Sequence, residues 1–457
     1  MKKIVYSLII LLFLSIISMS TLSKVQASED ELMIYILTKK NIQEKEFKKE
    51  IEGYTNTNVI YEVPEIGLYQ VRGSQRELES IIEHSKIIKN HTLNTKKNPD
   101  KTPDKTQIDY QTDTNQNSII SEKKDLQWDI SRLTSNGKSF ITKSNIHNTT
   151  VAIIDSGVGN HPDLKNAVNI RKNLVPKGGN NGKEKLETGD ISFHTDFLGH
   201  GTMLAGQMAA DGLSKGLYPG LKINSYRVFG SESAESIWVI KGIIEAAKDD
   251  SDVINLSLIE YVSRGDTINK DGKIDYTNKI KYEAYERAVN YAKSRGSFLV
   301  TAIGNQSLNL KDKEQIYNYW KKKNPSLVTN SQIYAVPASF QNVISVGSIN
   351  HQNTISNFSN HNSADIYTYG GDNRLVEDIG TEKYFSNRMF EKEWILALSP
   401  QGGYTYTFGT SLSAAKVSAI AAATIDKNNY KNRPDLTQRD LYNMTSGNKE
   451  RLLLKLQ

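Results

Sequence analysis

The sequence predicts an α/β protein: a mostly parallel sheet with helices on both faces, preceded by a smaller α/β unit. Three observations predict it. Short apolar runs at residues 151–154, 223–228, 253–258, 298–303 and 343–346 are bounded by Gly, Asn or charged residues, as strands buried on both faces are. Helical stretches such as residues 236–248 and 282–294 lie between several of them, the alternation that builds a parallel sheet. A polar tract at residues 94–124, dense in Lys, Asn, Asp, Thr and Gln and carrying Pro99 and Pro103, sets this region apart from an N-terminal segment with its own pattern.

In chain order, Lys2 and Lys3 precede an apolar run at residues 4–17, and Val25, Gln26 and Ala27 offer small residues for cleavage before Ser28. The run is shorter than the about 20 residues of a spanning helix. Residues 1–27 are therefore expected to be a signal peptide, and the processed protein to be secreted, with no stable membrane anchor. Residues 452–457 add no second apolar span. Residues 28–93 read as a compact βαββα domain. Strand-like residues 32–37 lead to a charged helix at 43–51, then to strands at 59–63 and 68–71 joined through Pro64 and Gly67. Ser74 and Glu77 make a capping-box pattern ahead of Leu78, Ile81 and Ile82, which share one helical face. Residues 94–125 are expected to be an exposed polar linker, open to proteolytic nicking and maturation. Residues 126–457 form the large domain.

Composition excludes several function classes. The chain of 457 residues has 57 basic and 51 acidic side chains, a net charge of +6 with the two signs interspersed, which leaves no nucleic-acid footprint. The absence of cysteine removes disulfides, lipid attachment at a cysteine and thiol catalysis.

Four residues carry candidate chemistry. Asp155 follows the strand-like residues 151–154 and precedes Ser156-Gly157, a context that by itself marks a turn. His200 lies in Gly199-His200-Gly201-Thr202 at the start of a run of helix formers, where a lone His is ordinarily structural. Ser411 lies in Gly409-Thr410-Ser411-Leu412-Ser413-Ala414-Ala415 and opens an apolar helix. By itself it is an N-cap serine, but backbone N–H groups at a helix start also favour developing negative charge. Together the three supply what serine catalysis needs: a nucleophile, a general base, and a carboxylate that holds the imidazole in the right tautomer. Asn305, just past the run at 298–303, offers an amide donor for an oxyanion.

These stretches resemble the three signatures of the subtilisin-like serine proteases, in that family's order Asp, His, Ser, and the likeness spans about residues 126–441. The resemblance implies a subtilisin-like fold, a secreted serine endopeptidase with Asp155, His200 and Ser411 as its triad, and Asn305 as the side-chain oxyanion donor. It implies that Asn255, Leu256, Ser257 and Leu258 pair with the substrate backbone, and that residues 28–93 are an inhibitory, fold-assisting propeptide. Where many members have a Gly pair bordering the pocket for the residue before the cut, this chain has Ile259 and Glu260. Ile259 would narrow that pocket, and Glu260 is expected either to favour a basic substrate residue or to be a solvated surface group. Residues 311–323, with Trp320 and three consecutive lysines, are atypical of the family, a solvated face or a peptide grip. The chemistry needs no cofactor, and a structural calcium is implied by resemblance alone. Its ligands are unassigned, because Thr267 and Asn278 stand where a calcium loop at 267–278 needs carboxylates. His161 and His194 are expected to be structural. Within the family the chain resembles the leader peptidases that trim exported lantibiotic precursors, so its expected partners are such a peptide and its own propeptide. The alternatives are a broad degradative protease and a non-catalytic binding module.

Overall fold

The computed structural model of the chain describes residues 31–92, 112–114, 124–135, 149–448 and 451–454; the expected signal peptide and most of the linker lie outside them. In the N-terminal unit, β1 (Glu31–Thr38) alternates buried and part-exposed residues. It pairs antiparallel with β3 (Leu68–Ser74), setting Ile34 opposite Val71 and Ile36 opposite Tyr69. With β2 (Thr57–Val63) and β4 (Ile88–His91) the order is β2-β3-β1-β4. Helices α1 (Glu44–Ile51) and α2 (Gln75–His84) close one face, burying Phe47, Ile51, Leu78 and Ile81 against Ile34, Ile36 and Tyr69. Half of the expected capping box forms. Ser74 Oγ accepts from Glu77 N (3.4 Å), but the Glu77 carboxylate turns to Thr57 Oγ1 (2.7 Å) and Asn56 N (2.9 Å) and staples α2 to β2. The strand β4 is additional to the expected βαββα pattern; its four residues are too few and too polar to stand out as a run.

In the large domain seven strands run parallel, in the order β16-β15-β13-β9-β6-β8-β7. In chain order they are β6 (Thr150–Asp155), β7 (Val168–Asn173), β8 (Lys222–Arg227), β9 (Val253–Leu256), β13 (Phe298–Ala302), β15 (Val343–Ile349) and β16 (Ile366–Tyr369). The numbers between belong to small antiparallel pieces: β10 (Glu260–Ser263) with β14 (Ile333–Val336), and the hairpin β11 (Thr267–Ile268) and β12 (Ile274–Asp275). β5 (Thr112–Thr114) extends the hairpin β17 (Ile395–Leu398) and β18 (Tyr404–Thr407). Thus three residues of the expected linker are a strand: β-branched Thr on the open edge of a hairpin. The pair β19 (Thr445–Asn448) and β20 (Arg451–Leu454) continues the large sheet beyond β16.

The helices follow from burial. α4 (His200–Ala209) and α11 (Thr410–Asn428) are buried almost all round, and they pack with α3 (Trp128–Leu133) and α12 (Pro434–Asn443) on one face of the sheet. α5 (Ser236–Lys248) and α6 (Thr277–Ser294) cover the other. α7 (Lys313–Lys323) packs its Ile316 and Trp320 against Ile333. α8 (Arg374–Ile379), α9 (Thr381–Ser386) and α10 (Phe390–Glu393) lie between β16 and β17. The N-terminal unit sits on α5 and α6. Its Leu37, Val63, Ile66 and Leu68 enter their apolar cluster, and Arg287 of α6 donates to the carbonyls of Thr38 (3.0 Å) and Ile66 (2.8 Å). Among the described residues no helix is long and apolar enough to cross a membrane.

Candidate active site

Parallel strands end together, and the side chains that leave them at the carboxyl edge converge. Asp155 is the last residue of β6, fully buried, with Ser156 N donating to Oδ1 (2.8 Å). His200 is the first residue of α4, and its Nδ1 lies 2.8 and 2.9 Å from the two Asp155 oxygens. Two glycines permit the approach: Gly157 turns the chain at φ +104°, and a methyl on Gly201 would lie 2.0 Å from the Gly157 carbonyl oxygen. With Nδ1–H donating to the carboxylate, the neutral imidazole presents Nε2 as its basic atom. Burial alone would lower the His200 pKa; the charge and hydrogen bond of Asp155, joined by the charge of Asp196, outweigh it and raise the pKa above the ordinary 6.5.

Asp196, absent from the expected set, fixes the start of α4. It accepts from Gly199 N (2.7 Å), Thr202 N (3.0 Å) and Thr202 Oγ1 (2.6 Å), while burial pushes its own pKa up. Asp196 stands three residues ahead of the N-cap Gly199, outside the position at which a capping residue is read from sequence, so no local signal marks it.

Ser411 lies in the first turn of α11, where backbone N–H groups have no intrahelical partner. The preceding Thr410 accounts for the orientation of Asn305: its N–H (2.9 Å) and Oγ1 (2.7 Å) both donate to Asn305 Oδ1. Gly409, at φ +154°, faces both expected oxyanion donors, for a methyl there would lie 3.5 Å from Asn305 Nδ2 and 3.9 Å from Ser411 N. The Ser411 hydroxyl donates to the Ser257 carbonyl oxygen (3.4 Å) rather than to His200; such bonds commonly align only once substrate is bound.

Other expected residues are placed differently. Asn255 and Leu256 are inside β9 and buried, with their backbones between β6 and β13. The expectation that they pair with substrate is corrected: their edges are already taken by neighbouring strands. Asn255 instead accepts from Ser418 Oγ of α11 (2.9 Å). Ser257 and Leu258 run on past the strand end, beside Ser411. Glu260 does not reach the site. Its carboxylate accepts from Ser236 Oγ (2.9 Å), Tyr285 OH (2.7 Å) and Lys281 Nζ (3.2 Å), so its charge is matched by a lysine of its own chain and is a poor receptor for a substrate cation.

The residues do not fit the calcium loop weighed at 267–278. Asn269 Oδ1 accepts from Asp271 N and Lys273 N (both 3.0 Å), Asn278 Oδ1 is taken by Trp320 Nε1 (3.3 Å), and among the described residues no three His, Asp or Glu side chains converge as metal ligands. His161 is structural: its Nδ1 accepts from Asp163 N (3.0 Å), leaving Nε2–H to donate to Gly403 O (3.0 Å). His194 is half-buried, its Nδ1 2.6 Å from Ser192 O.

The sequence profile of the subtilase family of peptidases matches residues 147–455, well over half of the chain. The chain belongs to the subtilase family. Of the subtilases it is similar to, the epidermin leader peptide-processing serine protease EpiP of Staphylococcus epidermidis is 38% identical over 432 residues, 93% of this chain and 90% of that one. The nisin leader peptide-processing serine protease NisP of Lactococcus lactis is 38% identical over 331 residues, 72% of this chain and 48% of that longer protein. Among solved structures, EpiP of Staphylococcus aureus superposes with a TM-score of 0.80 at 33% identity, covering 93% of this chain and 97% of that one. NisP superposes with a TM-score of 0.68 at 37% identity, covering 72% and 92%. This subtilase is a serine protease with the family's fold.

Proposed function

We propose that this subtilase is exported and removes the leader from a lantibiotic precursor peptide. The observation that carries the catalytic part is the clasp of both Asp155 oxygens on His200 Nδ1, which leaves Nε2 as the basic atom. In this reading Ser411 Oγ attacks the scissile carbonyl carbon as its proton passes to His200 Nε2, and Asp155 stays ionised beside the imidazolium. The oxyanion is held by Asn305 Nδ2 and Ser411 N–H. The intermediate collapses, the C–N bond breaks, and the leaving amine takes the proton from His200. Water then repeats the sequence on the acyl-enzyme. Every reacting group is a side chain or a backbone amide, so the chemistry needs no cofactor.

The substrate part rests on similarity to EpiP and NisP, whose names give them leader-processing roles. Ile259 supports a restricted cleft over a broad degradative one: its Cδ1 lies 2.4 Å from where a methyl on Gly304 would be, against the loop that carries Asn305. Export rests on the segment at 1–27. The unit on α5 and α6 acts as a propeptide, released by a cut in the tract at 94–124.

Purified protein incubated with epidermin and nisin precursors, and separately with casein, tests the proposal by mass spectrometry. One cut at the leader boundary, lost in Ser411→Ala, is expected; many unrelated cuts in casein with none at either boundary would refute the leader-peptidase reading. A Ser411→Ala protein as active as the parent would refute the mechanism.

A further inference from the structure

The loop at residues 303–308 bears Asn305 in a conformation that does not hold itself. Gly304 is at φ +99°, which glycine adopts freely, but Ser307 is at φ +56°, and a non-glycine residue in the left-handed region persists only where its surroundings over-determine it. Those surroundings include Thr410, whose Oγ1 accepts from Gly304 N (3.3 Å), and a segment more than 50 residues away, which offers the Phe358 carbonyl oxygen to Ser307 N (2.9 Å), the Asn357 carbonyl oxygen to Ser307 Oγ (2.6 Å), and one side chain that reaches both sides of Asn305. Asn360 is fully buried between β15 and β16. Its Nδ2 lies 2.8 Å from the Ile303 carbonyl oxygen, on one side of Asn305. Its Oδ1 accepts from Gln306 N (3.2 Å) and Leu308 N (2.9 Å), on the other side. Its backbone N–H donates to Gly304 O (2.9 Å). The same Nδ2 also lies 2.8 Å from Tyr261 OH and 3.1 Å from Gln306 Oε1, and Tyr261 OH donates to Gln306 Oε1 (2.9 Å), closing a triangle of side chains behind the loop. Tyr319 of α7 packs its ring against Tyr261 at 5.0 Å.

We propose that Asn360, with Tyr261, is a positioning residue for catalysis: it clamps the loop on both sides of Asn305 and so sets where the oxyanion donor stands. The inference rests on the peptidase reading above. It also assigns the atypical segment at 311–323 a role, for α7 braces the Asn305 loop through Tyr319 and Tyr261 instead of gripping a peptide. An amide donor must stand about 3 Å from the oxygen as it acquires charge, so a loosened loop forfeits transition-state binding while the ground-state carbonyl is scarcely affected.

The test uses the full chain and the most rapidly cut member of a quenched-fluorescent peptide library. Asn360→Ala is expected to lower kcat by about tenfold or more, bounded by the about 10²- to 10³-fold loss on removing such a donor, a magnitude measured within this same family, with KM little changed. Tyr261→Phe, which removes one hydroxyl and keeps the ring, should lower kcat by a smaller factor and serves if Asn360→Ala does not fold. The decisive readout is coupling. In an Asn305→Ala background neither change should lower kcat further, because both act through Asn305. If the variants keep the parent kcat, lose rate through KM, or lose it additively with Asn305→Ala, the positioning role is overturned. The parent's hydrolysis and its loss in Ser411→Ala are measured alongside, so failure of the clamp is told apart from failure of the peptidase reading.

Discussion

Replacing Glu187 by Gln tests the loop that delivers His200. Residues 174–199 join β7 to α4 with only a single helical turn (Asn180–Gly182) among them, and so long an irregular stretch needs an anchor or moves. The anchor is an ion pair out of water. Glu187 accepts from Arg227 Nη1 (2.7 Å) and Nη2 (2.8 Å) and from Ser231 N (2.6 Å), with Glu187 2% and Arg227 1% exposed. The guanidinium also donates to Asn173 Oδ1 and Thr195 O (both 3.0 Å) and lies 5.3 and 5.5 Å from the rings of Phe193 and Phe197. Arg227 ends β8 and is the register partner of Asp155, so the pair ties the loop to the strand end that presents the carboxylate. Gln keeps the shape but withdraws the charge and turns one acceptor into a donor facing a donor. Removing one member of a buried pair costs about 3–5 kcal/mol; with one acceptor retained the lower end applies, about 3 kcal/mol. At about 2.1 cal/mol/K per residue, the roughly 330 residues of the large domain give an unfolding entropy of about 0.7 kcal/mol/K, so melting falls by about 4 °C. Calorimetry at neutral pH reads it. The double change Arg227→Met with Glu187→Leu should recover most of the loss, since a buried pair nets little against apolar residues of similar volume. An unchanged melting temperature in Glu187→Gln would refute the reasoning.

Further outcomes follow from the site. With the neutral form of His200 as the proposed base and its pKa raised, kcat/KM should climb with pH through a midpoint above 6.5. In Asp155→Asn the remaining influence of burial should carry that midpoint below 6.5, with kcat lower by about 10⁴-fold, the loss seen for this change in another serine-protease family; a midpoint that stays put would break the link. The stability this pair adds has the matching sign: it is full below the unfolded pKa of about 6.5 and is lost as pH rises through the raised folded value. Ile259→Gly should open the space beside Gly304 and raise kcat/KM for peptides with a large residue before the cut by about 10- to 200-fold relative to small ones. Parallel assays of peptides with Phe and Ala at that position would show it, and an unchanged ratio would count against Ile259 as the restriction.

Asp155, His200, Ser411 and Asn305 were legible as candidates because each sits in a local context, a strand end or helix start beside glycine, that the chain spells out over a few residues. Their supports were not, since the partners meet only in the fold: Thr410 and Asn305 are 105 positions apart, and Asn360 and Ile303 are 57. The parallel sheet was readable from its buried runs. A run does not say which backbone edges remain open, and Asn255 and Leu256 were assigned to substrate on resemblance although β9 is central. Glu260 shows the converse, a signal present and not used. Side chains alternate along an extended strand, and Leu258 and Val262 are both buried in the cluster of α5 and α6. Glu260 stands between them in register, which turns it toward the same helices and their Lys281 and Tyr285. The alternate residues, Ile259 and Tyr261, then face Gly304 and Gln306. Period two at 258–262 therefore assigns the cleft side to an isoleucine and a tyrosine. Any preference for a basic substrate residue has to come from a group other than Glu260.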